Sequence, residues 1–375
     1  MPLALRTICV IALASLLTNV QPLHAANYTW AGGSTTDKGD WTVRQNWAPN
    51  SGAGGPTTAD VLTFTAGTVY TTVTNSAAAS GGSILFDATA GAFTIAGPNT
   101  LTLGSATANG VVNNSVNLQT ISSPLALGSP QTWNASAGNL LISGSTVMGT
   151  NNLTVSGGFN TLIGGASSGS GALSKTGGGT LTLTNGNNYS GGTTVSAGTL
   201  AVNNTVGSAT GTNLVAVLLG GTLGGSGFIS GPVTVSGTLS PGNSAGTLTI
   251  NNNLTLGATA LSLFELGGTG SGQYDRVTGI GTLTLDGLVN VTLINSFTPG
   301  LGDTFDLFDF SLIDASNFDV NTDLALPSLG GGLDWDVSNF LVNGQIAVIV
   351  PEPSGTALLG LGLLSFLFIA NWRRA

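Results

Sequence analysis

From Thr180 to Thr184 the chain alternates hydroxyl and aliphatic side chains (TLTLT), the period of two expected of a strand with one buried and one wet face. Thr193–Val195 and Thr199–Val202 repeat that choice over shorter spans. Between them lie Gly177–Gly179, Asn185–Asn188, Gly191–Gly192 and Ser196–Gly198, built from residues that accept positive φ or imitate a turn with their own side chain. The pattern predicts short strand, sharp corner, short strand, sharp corner. Such a segment buries too little apolar surface to stand alone, and gains stability only when the next segment stacks on it and pairs its backbone.

Variants of the same text recur from about Ala59 to Asn253, among them Asn99-Thr100-Leu101-Thr102, Asn152-Leu153-Thr154-Val155, Asn160-Thr161-Leu162-Ile163 and Asn253-Leu254-Thr255-Leu256. A Gly-Thr-Leu unit begins at Gly179, Gly198, Gly221, Gly237, Gly246 and Gly281. Irregular spacing near ~20 residues fits a solenoid whose corners take insertions, and argues against the stricter period of a propeller or a leucine-rich horseshoe. Asparagine repeated before the strands predicts a ladder in which each amide bonds the copy above and below.

Lys175-Thr176-Gly177 followed by TLTLT, then Asn188-Tyr189-Ser190-Gly191-Gly192-Thr193-Thr194-Val195 and Ala197-Gly198-Thr199-Leu200, resembles the autotransporter-associated β-strand repeat. The resemblance is close over residues 172–204 and looser along much of the body. It implies an all-β chain whose body is a right-handed parallel β-helix, or β-solenoid. The repeat occurs in passenger regions of very different roles, so it implies a fold and no activity. Residues 222–261 and Gln273-Tyr274-Asp275-Arg276-Val277 resemble the distal part of such passengers, but the segment from Thr298 to Trp372 is too short for a membrane β-barrel.

Charge narrows the function. Only 6% of residues are charged, against a usual figure of about 25%. Between Ala88 and Phe264 the single charged side chain is Lys175, which excludes a basic groove for nucleic acid. Cys9 and His24, the only thiol and the only imidazole, both fall within residues 1–26. Those residues read as a signal peptide: Arg6, an apolar run from Ile8 to Leu17, then a small-residue end with cleavage after Ala25 or Ala26. This implies Sec-type export. Zinc sites built on Cys or His, thiol catalysis and a Ser-His relay are therefore not expected in the mature body.

Residues 27–65 hold Trp30, Trp41 and Trp47 and are expected to cap the apolar end of the stack; a sugar-stacking surface is the alternative. Residues 66–262 are assigned to the β-helix repeats and 263–349 to an acidic, β-rich C-terminal part. In the latter, Asp303, Asp306 and Asp309 are followed by Asp314, Asp319, Asp323, Asp334 and Asp336. Solvated strand edges and turns are the expected reading and calcium the sharper one, although neither the EF-hand loop nor the GGxGxD calcium roll is present. No other cofactor is expected.

Residues 350–375 form a tail: Pro351-Glu352-Pro353, an uncharged run from Gly355 to Ala370, then Trp372-Arg373-Arg374. A helix over 355–370 would be about 24 Å long, short of a ~30 Å hydrocarbon core but workable with Ser354 and Trp372 at the boundaries and the arginines snorkelling on the cytoplasmic side of the inner membrane. The three parts together resemble the PEP-CTERM sorting signal. That resemblance implies recognition of Pro351, Glu352 and Pro353 by exosortase, a membrane-embedded processing enzyme, and a link to exopolysaccharide and the outer surface of Gram-negative bacteria. Two prolines also hold the chain extended, as a processing enzyme needs its substrate.

Two classes of function remain. The first is a non-enzymatic surface or matrix protein, serving adhesion or association with exopolysaccharide. It would be anchored by the tail before processing and then reside on the cell surface or in the matrix. The second is a site-bearing protein, either a calcium-dependent carbohydrate-binding module or a β-helix polysaccharide-degrading enzyme. Degradation needs placed carboxylates, and the central coils carry none. The first class is the stronger expectation.

Overall fold

The computed structural model describes residues 26–37, 39–49, 56–67, 70–104 and 109–352. The expected leader up to Ala25, Pro353, the expected transmembrane helix over 355–370, and Arg373 and Arg374 lie outside the described residues. Among those described, no helix is long and apolar enough to cross a membrane. The described residues are all-β apart from two short helical turns, and the chain divides into two compact units, residues 1–199 with 210–213, and 200–209 with 214–375.

In the first unit short strands recur on three faces, and each pairs in parallel with its counterpart one coil on. The first face begins with Asn27–Trp30, Val61–Phe64 and Ser83–Phe86 and runs on to Leu153–Gly157, Leu173–Lys175 and Thr193–Val195. The second carries Thr72–Thr74 through Gln119–Ile121, Leu140–Ile142, Thr161–Ile163 and Thr180–Leu183. The third carries Ala79–Gly81 through Leu125–Leu127, Thr146–Gly149 and Ser167–Gly169. Coil length is set by the register: Gln119 pairs with Leu140, Leu140 with Thr161 and Thr161 with Leu181.

The alternation resolves as the sequence suggests. Leu181 and Leu183 are buried while Thr180 and Thr182 stay half-exposed. Leu140 and Ile142 point in on either side of half-exposed Leu141. At the start of the unit Trp30, Trp41 and Trp47 are buried and meet edge to face at 5.0 Å. Phe64 stacks on Phe86 at 5.1 Å and touches Phe93. These three indoles therefore offer no free face on which a sugar could stack.

The second unit uses the same device. Val215–Val217, Val233–Val235 and Leu254–Leu256 form one column, Thr238–Pro241, Leu261–Leu266 and Leu288–Leu293 another. The long strand Arg276–Leu285 serves two columns at once, pairing first with Thr247–Thr249 and then with Leu254–Leu256. Parallel pairing continues beyond residue 262, through Phe308–Asp314 and Leu324–Ala325. An antiparallel sheet comes next, with Gln345–Ile349 between Thr304–Asp306 and Asp334–Asp336.

The asparagine expectation needs correction. The amides do link successive coils, but mostly to backbone: Asn139 Oδ1 accepts the Asn160 N–H (3.0 Å) and Asn160 Oδ1 accepts the Thr180 N–H (3.0 Å). Asn152 does the same for Ala172 (2.9 Å). The N–H groups of Asn160 and Ala172, one residue before their strands, and of Thr180, which opens its own, are taken by these amide oxygens, whereas Leu140, Leu153 and Leu173 donate their opening N–H to a backbone carbonyl of the next coil. Asn203 and Asn243 do join amide to amide, at 2.9 Å.

Replacing Leu181 by Ala removes a fully buried side chain from the stack and is expected to cost about 2–5 kcal/mol, whereas Thr182→Ala on the outer face is expected to stay within about 0.5 kcal/mol. Denaturant titration of the two variants checks the contrast, and equal losses would contradict the inward and outward assignment.

Candidate functional site

The described chemistry gathers at three places. The first is the signature repeat. Leu173, Ser174 and Lys175 alternate in, out, in, so the lysine stem follows the leucine into the stack and is almost fully buried. Its ammonium donates to the carbonyls of Thr176 (2.8 Å), Gly177 (2.6 Å) and Ala197 (3.1 Å). Gly177 and Gly198 both have positive φ, and a Cβ on Gly198 would lie 2.7 Å from Lys175 Nζ. The Lys-Thr-Gly and Ala-Gly-Thr texts thus form one carbonyl nest with a cation inside.

Tyr189 belongs to the same arrangement. It is buried and its hydroxyl sits 2.7 Å from Thr193 Oγ1. Burial holds that phenol well above its usual range, and the threonine only partly opposes this. Burial also pulls Lys175 down from 10.5 to about 8. Neither group has a carboxylate within its coils, and the Lys175 bonds to Gly177 and Ala197 tie one coil to the next.

The second place is the acidic part. Its carboxylates are spread over turns: Asp303 accepts the Gly300 N–H, Asp314 that of Ser316, Asp323 that of Asp319 and Asp336 that of Ser338. Asp306 pairs with Arg276, and Asp309 stands 3.8 Å from the same guanidinium. Among the described residues no three Asp, Glu, His or Cys side chains come together as metal ligands would. Asp275, which the sequence offered only as part of the passenger-like text from Gln273 to Val277, is the buried one. Its two oxygens accept the N–H groups of Gly246 (2.8 Å) and Glu265 (2.9 Å). Burial pushes its carboxyl up from 3.8 to about 7, the two amides oppose this, and the nearby charge of Glu265 adds to it.

The third place is the pair of chain ends expected to be processed. Ala26 donates its N–H to Asp60 Oδ1 (2.8 Å) and accepts the Val61 N–H (2.9 Å). At the other end Gln345–Ile349 is pinned on both edges. Immediately beyond it Val350, Pro351 and Glu352 are exposed. The Pro-Glu-Pro text therefore begins where the last paired strand stops.

The fold and these sites define an all-β stack of parallel strands carrying a passenger-associated-transport-repeat, which residues 173–202 match. Residues 350–374 match the PEP-CTERM protein-sorting motif. A stretch of 78 residues is 47% identical to the adhesin BmaC autotransporter of Brucella suis biovar 1 (strain 1330). That match covers 20% of this chain and 2% of the adhesin. The sorting motif and the repeat together support an exported surface protein.

Opposite pH dependences are expected in the two units. Lys175 loses its proton near 8 when folded and near 10.5 when unfolded, so the first unit gains stability as pH rises through that window. Asp275 keeps its proton to about 7 when folded but only to about 3.8 when unfolded, so the second unit loses stability as pH rises from about 4 to about 7. Hydrogen-exchange protection factors, corrected for intrinsic rates and read separately over each unit, check both signs. Lys175→Met and Asp275→Asn are expected to flatten the respective profiles.

Proposed function

We propose that the protein is a non-enzymatic β-helix of the right-handed parallel kind, displayed outside a Gram-negative cell for adhesion or association with exopolysaccharide. Sec-type machinery exports it and a signal peptidase removes the leader after Ala25 or Ala26. The uncharged run over 355–370 then holds it in the inner membrane with Arg373 and Arg374 on the cytoplasmic side. An exosortase-type enzyme reads Pro351, Glu352 and Pro353 and frees the body.

The observation that carries this reading is the PEP-CTERM match beginning directly after the last pinned strand, with Pro351 and Glu352 already exposed. A processing enzyme in the membrane needs an extended, reachable segment, and unfolding the body would hinder its release. The adhesive role rests on the partial likeness to an adhesin and on the outer face of the coils. There Leu118, Leu141 and Leu162 line a shallow groove with Asn139, Asn160 and Thr182. Such a surface of hydroxyls, amides and scattered aliphatics suits a neutral or weakly polar partner.

Alanine at Pro351, Glu352 and Pro353 together is expected to leave a longer precursor in the inner-membrane fraction and at least ten-fold less protein outside. Fractionation with intact-mass measurement checks this. Wild-type release of the triple variant, or an exported chain still ending in Arg373-Arg374, would contradict processing at this tail.

A further inference from the structure

Asp60 is a carboxylate that the fold has buried, only 4% exposed, although it lies far from both the acidic C-terminal part and Asp275 in the chain. One oxygen is occupied locally: Oδ2 accepts the Thr57 N–H (2.7 Å) and the Thr57 hydroxyl (2.8 Å), which closes the turn before Val61–Phe64. The other oxygen reaches back across the sequence to Ala26 N at 2.8 Å. Among the described residues ion pairs are made by Arg276 alone, so Asp60 is buried without a cationic side chain. A buried carboxylate held only by neutral donors is costly, and a cation at one of its oxygens relieves that cost.

We propose that the Ala25–Ala26 bond is the processing site, and that the ammonium freed on Ala26 is the built-in cationic partner of Asp60, locking the first coil after export. The inference rests on the export reading. Hydrolysis by the exporting cell's leader peptidase consumes one water, leaves a carboxylate on Ala25, and turns the Ala26 amide nitrogen into a terminal ammonium. The donor at 2.8 Å from Oδ1 gains a full charge and two further protons.

The neighbouring bond does not serve. Ala25 and Ala26 both supply the small residue that leader peptidases require, so the sequence rule allows either cut. Cutting after Ala26 would strip Asp60 of its donor and would also remove the carbonyl that accepts the Val61 N–H at 2.9 Å. That second bond lies in the ladder where Asn27 faces Val61, the first pairing of the stack. A cut further upstream would leave a neutral amide beside the buried carboxylate. Only the cut before Ala26 completes both contacts.

Full chains beginning at Ala26, at Asn27, and at Ala26 preceded by one glycine separate the possibilities, each with Asp60 intact and with Asp60→Asn. The Ala26 chain is expected to melt about 2–4 °C above both others, and Asp60→Asn is expected to abolish its advantage over the glycine-extended chain. Equal melting with Asp60 intact, or an advantage that survives Asp60→Asn, would overturn the ion pair. Should Asp60→Asn not fold, acetylation kinetics decide on the native chain. An α-amine at least ten-fold slower to react when folded than when unfolded supports the pair, and equal rates overturn it. N-terminal sequencing of the exported protein should start at Ala26, and a start at Asn27 would overturn the assigned bond. Retention inside the cell with the leader attached would instead sink the export reading, leaving the melting comparison to judge the pair.

Discussion

Main-chain hydrogen bonding from one coil to the next is the constraint on which everything else depends. A strand such as Leu140–Ile142 is three residues long and would gain almost nothing alone. It is fixed because Gln119–Ile121 lies on one edge and Thr161–Ile163 on the other. Each coil is then both product and template, and side chains are selected by what they do for the coil beside them. Interior aliphatics stack on interior aliphatics, as Leu153 does on Leu173 in register. At several corners asparagine oxygens take the N–H at or just before a strand's start, as for Asn160, Ala172 and Thr180.

The same constraint accounts for glycine. At Gly144, Gly165 and Gly171 a Cβ would run into the backbone of the preceding coil, at Ser123, Gly144 and Asn151 respectively. In a flexible linker glycine is chosen for freedom; here it is chosen because main chain lies directly on main chain and leaves no room for a side chain. Gly344, beyond the parallel stack, has the same cause, since a Cβ there would meet the Phe308 carbonyl. The high glycine content is thus a record of close corner stacking, compatible with an ordered body.

Much of this could be read from residue order and some could not. The in-and-out alternation of Thr180–Leu183 was visible in the letters, and Lys175 could have been recognised as inward because it sits in phase with Leu173. The third face was harder, because Ala79–Gly81 and Ser167–Gly169 are made of small residues and do not announce a strand. Asp275 was not legible at all. What buries it comes from Gly246 and Glu265, distant in sequence and brought together only by the coil. Asp60 escaped for the same reason, its defining partner being Ala26. The acidic run was more legible: it reads as strand edges and turns, and in space its carboxylates mostly close their own turns.

The scarcity of charge has its origin in the geometry as well. A residue type repeated at one corner of successive coils recurs at the strand spacing, about 4.8 Å. Two like charges at that separation repel by about 3.5 kcal/mol at an effective dielectric of about 20, and every added coil adds another such pair. Asparagine at 139 and 160 supplies the same acceptor oxygen that aspartate would, without that accumulating penalty. Between Ala88 and Phe264 lysine is admitted once, at 175, where three carbonyls surround it. Aspartate becomes common only where segments such as Asp314–Asp323 form turns that do not repeat from coil to coil. The stacking that gives the body its permanence therefore also removes from its middle the paired carboxylates on which hydrolytic chemistry depends, and leaves a neutral, hydroxyl-rich face as what it has to present.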